Sequence, residues 1–272
     1  MTTQKIYFFD VDNTLLDHRT GAIPASALTA IDALRRAGHT IVVATGRSYG
    51  HAKPFVDLVA PDYVITQNGA RILKGESEVL SLPLERQPIV TLFEWMDEIG
   101  HPYGVNDGRS GYLSARVGCA MDALATVSMP FQNDDRFYLC RDAHQAWLFF
   151  DESLDATLMP EIRRRYPDFG LVRWHRSAVD VMPAGVNKWT GCQWVMRATG
   201  FAAHQAIAFG DGLNDMEMLQ GVGVGIAMDN GHPELKAVAQ HIAPALHLDG
   251  IATMLDELAQ ANEPRARQAT AR

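Results

Sequence analysis

Three short apolar runs constrain this chain most. Ile6-Tyr7-Phe8-Phe9 reads as a strand buried on both faces, Thr40-Ile41-Val42-Val43-Ala44 as a second buried strand and Asp62-Tyr63-Val64-Ile65 as a third strand. Helical patterns separate them. Pro24 suits the first turn of a helix whose stripe is Leu28, Ile31 and Leu34, and which Gly38 ends. Ser48 can cap a second helix that reaches about Val59. Strand, helix, strand, helix, strand is the rhythm of a parallel sheet wound with helices, so the expected class is α/β, a doubly wound parallel sheet. Each strand also ends in small or polar residues: Asp10-Val11-Asp12, Thr45-Gly46-Arg47 and Thr66-Gln67-Asn68-Gly69. In open α/β sheets, ligands bind just beyond the carboxyl ends of the strands.

The rhythm breaks near Pro83. Gly75 to Pro83 reads as a hairpin or connecting segment, and Ile89 to Ile99 as an amphipathic helix. Between Tyr103 and Met182 come the β-like runs Phe137–Cys140, Ala146–Phe150 and Ser177–Val181, with helical Leu158 to Tyr166 among them. The α/β pattern resumes with a helix from Asn187 to Thr199 and a strand Ala206–Phe209 that ends in Gly210-Asp211-Gly212-Leu213-Asn214-Asp215. A short helix Met216–Gln220, a strand Gly223–Ala227 and helices near Pro233–Gln240 and Gly250–Ala261 follow. The expected organisation is a core of residues 1–83 and 184–272, an inserted α+β domain at 84–183, and a frayed tail over 263–272.

Composition narrows the setting. The 272 residues are 47% hydrophobic and 21% charged, as in ordinary globular proteins, and can build one large or two modest cores. A net charge of −8 argues against a nucleic-acid or anionic-membrane surface. It leaves a phosphate ligand open, because a divalent cation reverses the local sign. Cys119, Cys140 and Cys192 are scattered and odd in number, which predicts reduced thiols, each a small buried hydrophobe, and a cytoplasmic location. No apolar run reaches membrane-spanning length, and Met1 to Lys5 is too short for a signal peptide.

The chemistry gathers at the strand ends. Asp10 and Asp12 lie two apart and so on one side of an extended backbone, where they repel unless a cation or a proton answers them. An EF-hand is excluded, since Leu15 holds its glycine position and Gly21 its glutamate position. Mg²⁺ takes oxygen ligands, and Asp10, Asp211 and the main-chain carbonyl of Asp12 offer three. A hydroxyl (Thr45), loop N–H groups and an ammonium (Lys188) suit the remaining oxygens of a phosphate dianion. A carboxylate opposite the phosphorus is a competent nucleophile, and a second one can protonate the leaving alkoxide and then activate water. Singly, each piece has an ordinary explanation: a Gly-Asp-Gly turn, a solvated first-turn lysine, a capped strand-to-helix turn. Their joint occurrence at the strand ends of one sheet is what singles them out.

Asp10-Val11-Asp12-Asn13-Thr14, Ala44-Thr45-Gly46-Arg47, Gly185-Val186-Asn187-Lys188 and Gly210–Asp215 resemble the four signature motifs of the haloacid dehalogenase superfamily. Asn214-Asp215-Met216-Glu217-Met218-Leu219, the Asn68-Gly69-Ala70 triplet and the position of the insertion resemble its Cof-type phosphatases. The resemblance implies a Rossmann-like core with an inserted cap, and Mg²⁺-dependent hydrolysis of a small phosphorylated metabolite. It implies Asp10 as nucleophile and Asp12 as general acid/base, with Thr45, Gly46, Lys188 and Asn214 holding the phosphate. Asp10, Asp12 and Asp211 would hold the metal, with Asp215 as ligand or support, and Arg47 and Asn68 would sit within reach of the substrate. Two further readings are a phosphomutase or phosphotransferase of the same superfamily and, from another class, a phospho-accepting sensor domain. Asn13 stands where these phosphatases usually have Gly, which asks for left-handed geometry at an Asn. Asn187-Lys188-Trp189 replaces the commoner Ser-Lys-Gly, and Trp189 is expected to pack against the sheet.

Overall fold

The structure, a computed structural model, describes residues 4–107, 111–126, 131–134, 136, 139 and 142–262. In chain order it begins β1 (Ile6–Phe9), α1 (Ala25–Arg36), β2 (Thr40–Ala44), α2 (Tyr49–Val59), β3 (Tyr63–Thr66), β4 (Arg71–Lys74) and β5 (Ser77–Ser81). It continues α3 (Arg86–Glu98), β6 (Tyr103–Asn106), β7 (Gly111–Leu113), α4 (Gly118–Thr126), β8 (Phe131–Asn133), β9 (Gln145–Leu148), α5 (Asp155–Arg165), β10 (Phe169–His175) and β11 (Ala178–Pro183). It closes with α6 (Lys188–Thr199), β12 (Ala206–Gly210), α7 (Met216–Gly221), β13 (Val224–Met228), α8 (Pro233–Val238), β14 (His241–Ala243) and α9 (Gly250–Asn262). The α/β class holds. Among the described residues no helix is long and apolar enough to cross a membrane.

The chain divides into two compact units. The first comprises Met1–Val43, Phe55–Asp62 and Met196–Arg272. Its strands lie in the order β14-β13-β12-β1-β2, all parallel. Chain order runs outward in both directions from the β1–β12 pair, so the topological switch point falls between these two strands. All four residues of β1 are buried, and Phe9 stacks on Phe209 with ring centroids 5.1 Å apart. Two-sided burial is why β1 and β12 read as continuous apolar runs rather than alternating ones.

The second unit comprises Ala44–Pro54 and Tyr63–Val195. It contains the antiparallel run β3-β4-β5 and a six-stranded sheet in the order β10-β11-β9-β6-β7-β8. The segment Gly75 to Pro83, expected as a hairpin or connector, supplies most of the β4–β5 hairpin, with Gly75 at φ 58° in its turn. A core of Leu92, Phe93, Met96, Tyr103, Leu148, Phe150 and Ile162 fills one face of the six-stranded sheet. Trp147, Phe149, Leu113 and Leu124 gather in a second cluster.

Boundaries differ from expectation in places. α5 starts at Asp155 rather than Leu158, where Asp151 caps the preceding turn by accepting from Ser153 N–H. β11 starts and ends one or two residues later than expected, and α8 stops at Val238. The expected run Phe137–Cys140 falls mostly outside the described residues, as do Cys140 and the tail from 263 on. Cys192 is buried and Cys119 half-buried, both as free thiols.

Candidate active site

In the first unit, β1 ends by handing Asp10 to a tight loop. Asp10 N–H still donates to Phe209 O at 3.1 Å, so the strand pairing carries the carboxylate to the switch point, where its residue is only 4% exposed. The chain then folds back: Leu15 and Leu16 N–H both donate to Val11 O, and Asn13 N–H donates to Leu16 O at 3.0 Å. Asn13 adopts φ 54°, the left-handed geometry that its replacement of Gly requires, and its carbonyl accepts from Asn230 Nδ2 at 2.9 Å. Asp12 is half-buried, and its Oδ1 lies 2.7 Å from His18 Nε2.

β12 delivers the second acid group. Asp215 is fully buried, and its Oδ2 accepts from the N–H groups of both Asp211 and Gly212 at 3.0 Å, closing the Gly210–Asp215 turn on itself. Gly210 has no room for a side chain, since a Cβ there would lie 2.6 Å from the Asp215 carboxylate. Thr14 Oγ1 donates to Asp211 Oδ1 at 3.4 Å, and the Asn214 side chain folds over Gly212. Carboxylate oxygens of Asp10, Asp211 and Asp215 all come within 4.8 Å of one another. Three acids this close raise the cost of ionisation unless a cation sits among them. A donor set made only of carboxylate oxygens suits a hard divalent ion rather than a thiolate- or imidazole-seeking metal.

The second unit holds the other residues singled out from the sequence. Thr45 is fully buried, its N–H donates to Ile65 O at 2.9 Å, and its Oγ1 accepts from Arg47 N–H at 3.1 Å while keeping its own proton to donate. Gly46 faces the Asn68 side chain: a Cβ on Gly46 would meet Asn68 Oδ1 at 3.1 Å. Asn68 itself is 3% exposed, and Arg47 is half-buried. Lys188 is the first residue of α6, and it is 1% exposed rather than solvated. An ammonium is buried to this degree almost always where anions face it. Asn187 explains how the helix begins here, because its Oδ1 accepts from Thr190 N–H at 2.9 Å while Thr190 Oγ1 accepts from Asn187 N–H at 3.1 Å. This is a reciprocal N-terminal cap, which accounts for Asn in place of Ser before the lysine. Trp189 is half-buried.

The sequence model of the haloacid dehalogenase-like hydrolases matches residues 7–255. The chain belongs to that family. Among curated relatives, this hydrolase is 32% identical to YkrA of Bacillus subtilis (strain 168), a presumed phosphatase by name, over 93% of this chain and 97% of that protein. It is 31% identical to the HMP-PP phosphatase of Klebsiella pneumoniae (strain 342), over 88% and 89% of the two chains. Among solved structures, one from Geobacillus kaustophilus HTA426 matches with a TM-score of 0.84 at 32% identity, covering 94% of this chain and 99% of that one. A haloalkanoate dehalogenase superfamily phosphatase from Bacteroides thetaiotaomicron shares the fold, with a TM-score of 0.86 at 24% identity over 94% and 96%.

Sequence reasoning missed three groups in this hydrolase. His18, paired with Asp12, carried no motif signal beyond lying six residues downstream. Gln67 is fully buried and donates from Nε2 to Asn106 O at 3.1 Å. Asp180 sat unremarked in a β-like run. It is 6% exposed and accepts from Gln145 Nε2 at 2.8 Å and Asn68 Nδ2 at 3.3 Å. Burial pushes its carboxyl up to about 7, against the opposing pull of the Gln145 hydrogen bond.

Proposed function

We propose that this chain is a Mg²⁺-dependent phosphatase that hydrolyses a small phosphorylated metabolite, a sugar, nucleotide or cofactor phosphate, through an aspartyl phosphate on Asp10. Family membership and relatives named as phosphatases make it a phosphoric monoester hydrolase. The observation that carries the finer reading is the cluster of Asp10, Asp211 and Asp215 oxygens at the switch point. Those three carboxylates, with the main-chain carbonyl of Asp12, are the groups that would hold Mg²⁺. Bound there, the ion supplies charge neutralisation between the attacking carboxylate and the phosphoryl oxygens.

The residues take the following parts. The Asp10 carboxylate attacks phosphorus, forming an O–P bond as the ester O–P bond breaks. Asp12 gives its proton to the departing alkoxide, then takes one from the water that attacks the aspartyl phosphate, which releases inorganic phosphate and restores Asp10. Thr45 Oγ1, the Gly46 N–H, Lys188 Nζ and Asn214 hold the phosphoryl oxygens. Arg47 serves the leaving-group side of the substrate. Residues 84–183 act as the cap that sets specificity over a core of 1–83 and 184–272. The HMP-PP phosphatase among the relatives supports a small organic phosphate as substrate. Scattered, odd-numbered cysteines support a cytoplasmic setting.

The test is release of p-nitrophenol from p-nitrophenyl phosphate. Turnover should require added Mg²⁺, stop with EDTA, and be lost in Asp10→Asn. Undiminished activity in that variant would remove Asp10 from the mechanism.

A further inference from the structure

The turn Gln67-Asn68-Gly69 is strained, buried and braced on several sides. Gln67 and Asn68 are consecutive non-glycine residues in left-handed geometry, at φ 49° and 51°, and Gly69 follows at φ 103°. Strain of this kind persists only where its surroundings over-determine it. The backbone of the turn holds the loop that follows β2: Asn68 N–H donates to Thr45 O at 3.1 Å and Gln67 N–H to Arg47 O at 2.9 Å. The Asn68 side chain is the surface against which Gly46 lies. On its other side the turn meets the start of α6. A Cβ on Gly69 would collide with the Asn187 carbonyl oxygen, and one on Gly191 would lie 3.3 Å from Gly69 Cα. One three-residue turn therefore supports both Thr45-Gly46 and the residue preceding Lys188.

The side chains of the turn are anchored in the six-stranded sheet. Gln67 Nε2 reaches Asn106 O on β6, and Asn68 Nδ2 reaches Asp180 Oδ2 on β11. Gln145 on β9 donates to the same Asp180 oxygen and stands opposite Asn106 in the β6–β9 register. We propose that Asp180 is a positioning residue for phosphate binding, acting through Asn68 on the Thr45-Gly46 loop and on the start of α6. This rests on the reading above in which Thr45, Gly46 and Lys188 hold the phosphoryl group. Asn68 thereby acts on the phosphate through Gly46. A residue 112 positions from Asn68 in sequence thus fixes the geometry of the phosphate loop.

The experiment measures competitive inhibition by inorganic phosphate, with KM and kcat for p-nitrophenyl phosphate, in wild type, Asp180→Ala, Asp180→Asn and Asn68→Gly. Asn68→Gly keeps the left-handed backbone and removes only the side chain. Asp180→Ala should raise the phosphate inhibition constant and KM about tenfold, in the range expected for coupling through packed side chains. Asp180→Asn, which keeps an acceptor for both amides, should restore them to within about threefold of wild type. Asn68→Gly should mimic Asp180→Ala, and adding Asp180→Ala to it should have little further effect. An unchanged inhibition constant in a folded Asp180→Ala, or additive effects in the double variant, would overturn the proposal. If Asp180→Ala fails to fold, Asn68→Gly decides alone, and an unchanged constant there overturns it. Lys188→Ala separates the two claims. If it loses phosphate affinity while the Asp180 and Asn68 variants do not, only the positioning role falls; if it keeps that affinity, the phosphate-site reading falls.

Discussion

At the scale of single residues, two side chains hold conformations or charges that the rest of the fold sustains. Asn13 sits at φ 54° between the two acids and the start of the return loop. Asn13→Gly should change stability by only a few tenths of a kcal/mol, whereas Asn13→Val should cost about 1–2 kcal/mol, read as a fall in melting temperature. Asp180 carries the clearer pH signature. Its carboxyl titrates near 7 in the folded chain, above its unfolded value, so the folded state holds the proton more tightly. Its contribution to stability is therefore full in acid and is lost as pH rises through about 7. Asp180→Asn should flatten the fall in melting temperature between about pH 4 and 7 and raise the melting temperature at pH 8 relative to wild type. Identical pH profiles for the two proteins would contradict this. Asp10 and Asp211 were legible from sequence because each follows within a residue or two of a buried apolar run. Asp180 was not, since its link to Asn68 spans 112 positions and no local pattern reports it.

At the scale of elements, glycines show where backbones approach too closely for a side chain. Gly69→Ala would set a Cβ against the Asn187 carbonyl at φ 103°, and Gly210→Ala would set one against the Asp215 carboxylate. Each should lower the melting temperature. Gly210→Ala should in addition weaken Mg²⁺ binding, read as a higher metal concentration for half-maximal activity, because the displaced carboxylate belongs to the acid cluster. β1, β2 and β12 could be read in advance because burial on both faces forces uniformly apolar residues. β10 could not, because six of its seven residues are only half-buried and they mix Arg173, Trp174 and His175 with Leu171 and Val172. β14 has three residues, two of them exposed, too few to show any period. The helix at Lys188 was expected to start at Asn187, and the cap geometry shows Asn187 as the residue just before its first turn.

At the scale of the whole molecule, the repeat of strand and helix gave away the α/β class, and the family match over residues 7–255 agrees with it. The substrate is not written in that repeat, because under the proposed reading the strand ends supply only the groups that would meet phosphate, and the leaving group falls to side chains set by long-range packing. Under the proposed Mg²⁺ site, folding of the chain is linked to metal binding at the gathered acids. Mg²⁺ at about a hundred times its dissociation constant should stabilise the protein by about 2.7 kcal/mol, seen as a rise in melting temperature. That rise should shrink in Asp211→Asn, which removes one of the clustered charges. The central claim, that Asp10 takes the phosphoryl group covalently, is tested most directly by acid-quenching the enzyme during turnover of a ³²P-labelled phosphomonoester and locating the label. Label released by alkali and confined to the peptide containing Asp10, absent in Asp10→Asn, is the predicted result. Label on a peptide that lacks Asp10, or equal labelling of the Asp10→Asn protein, would contradict it.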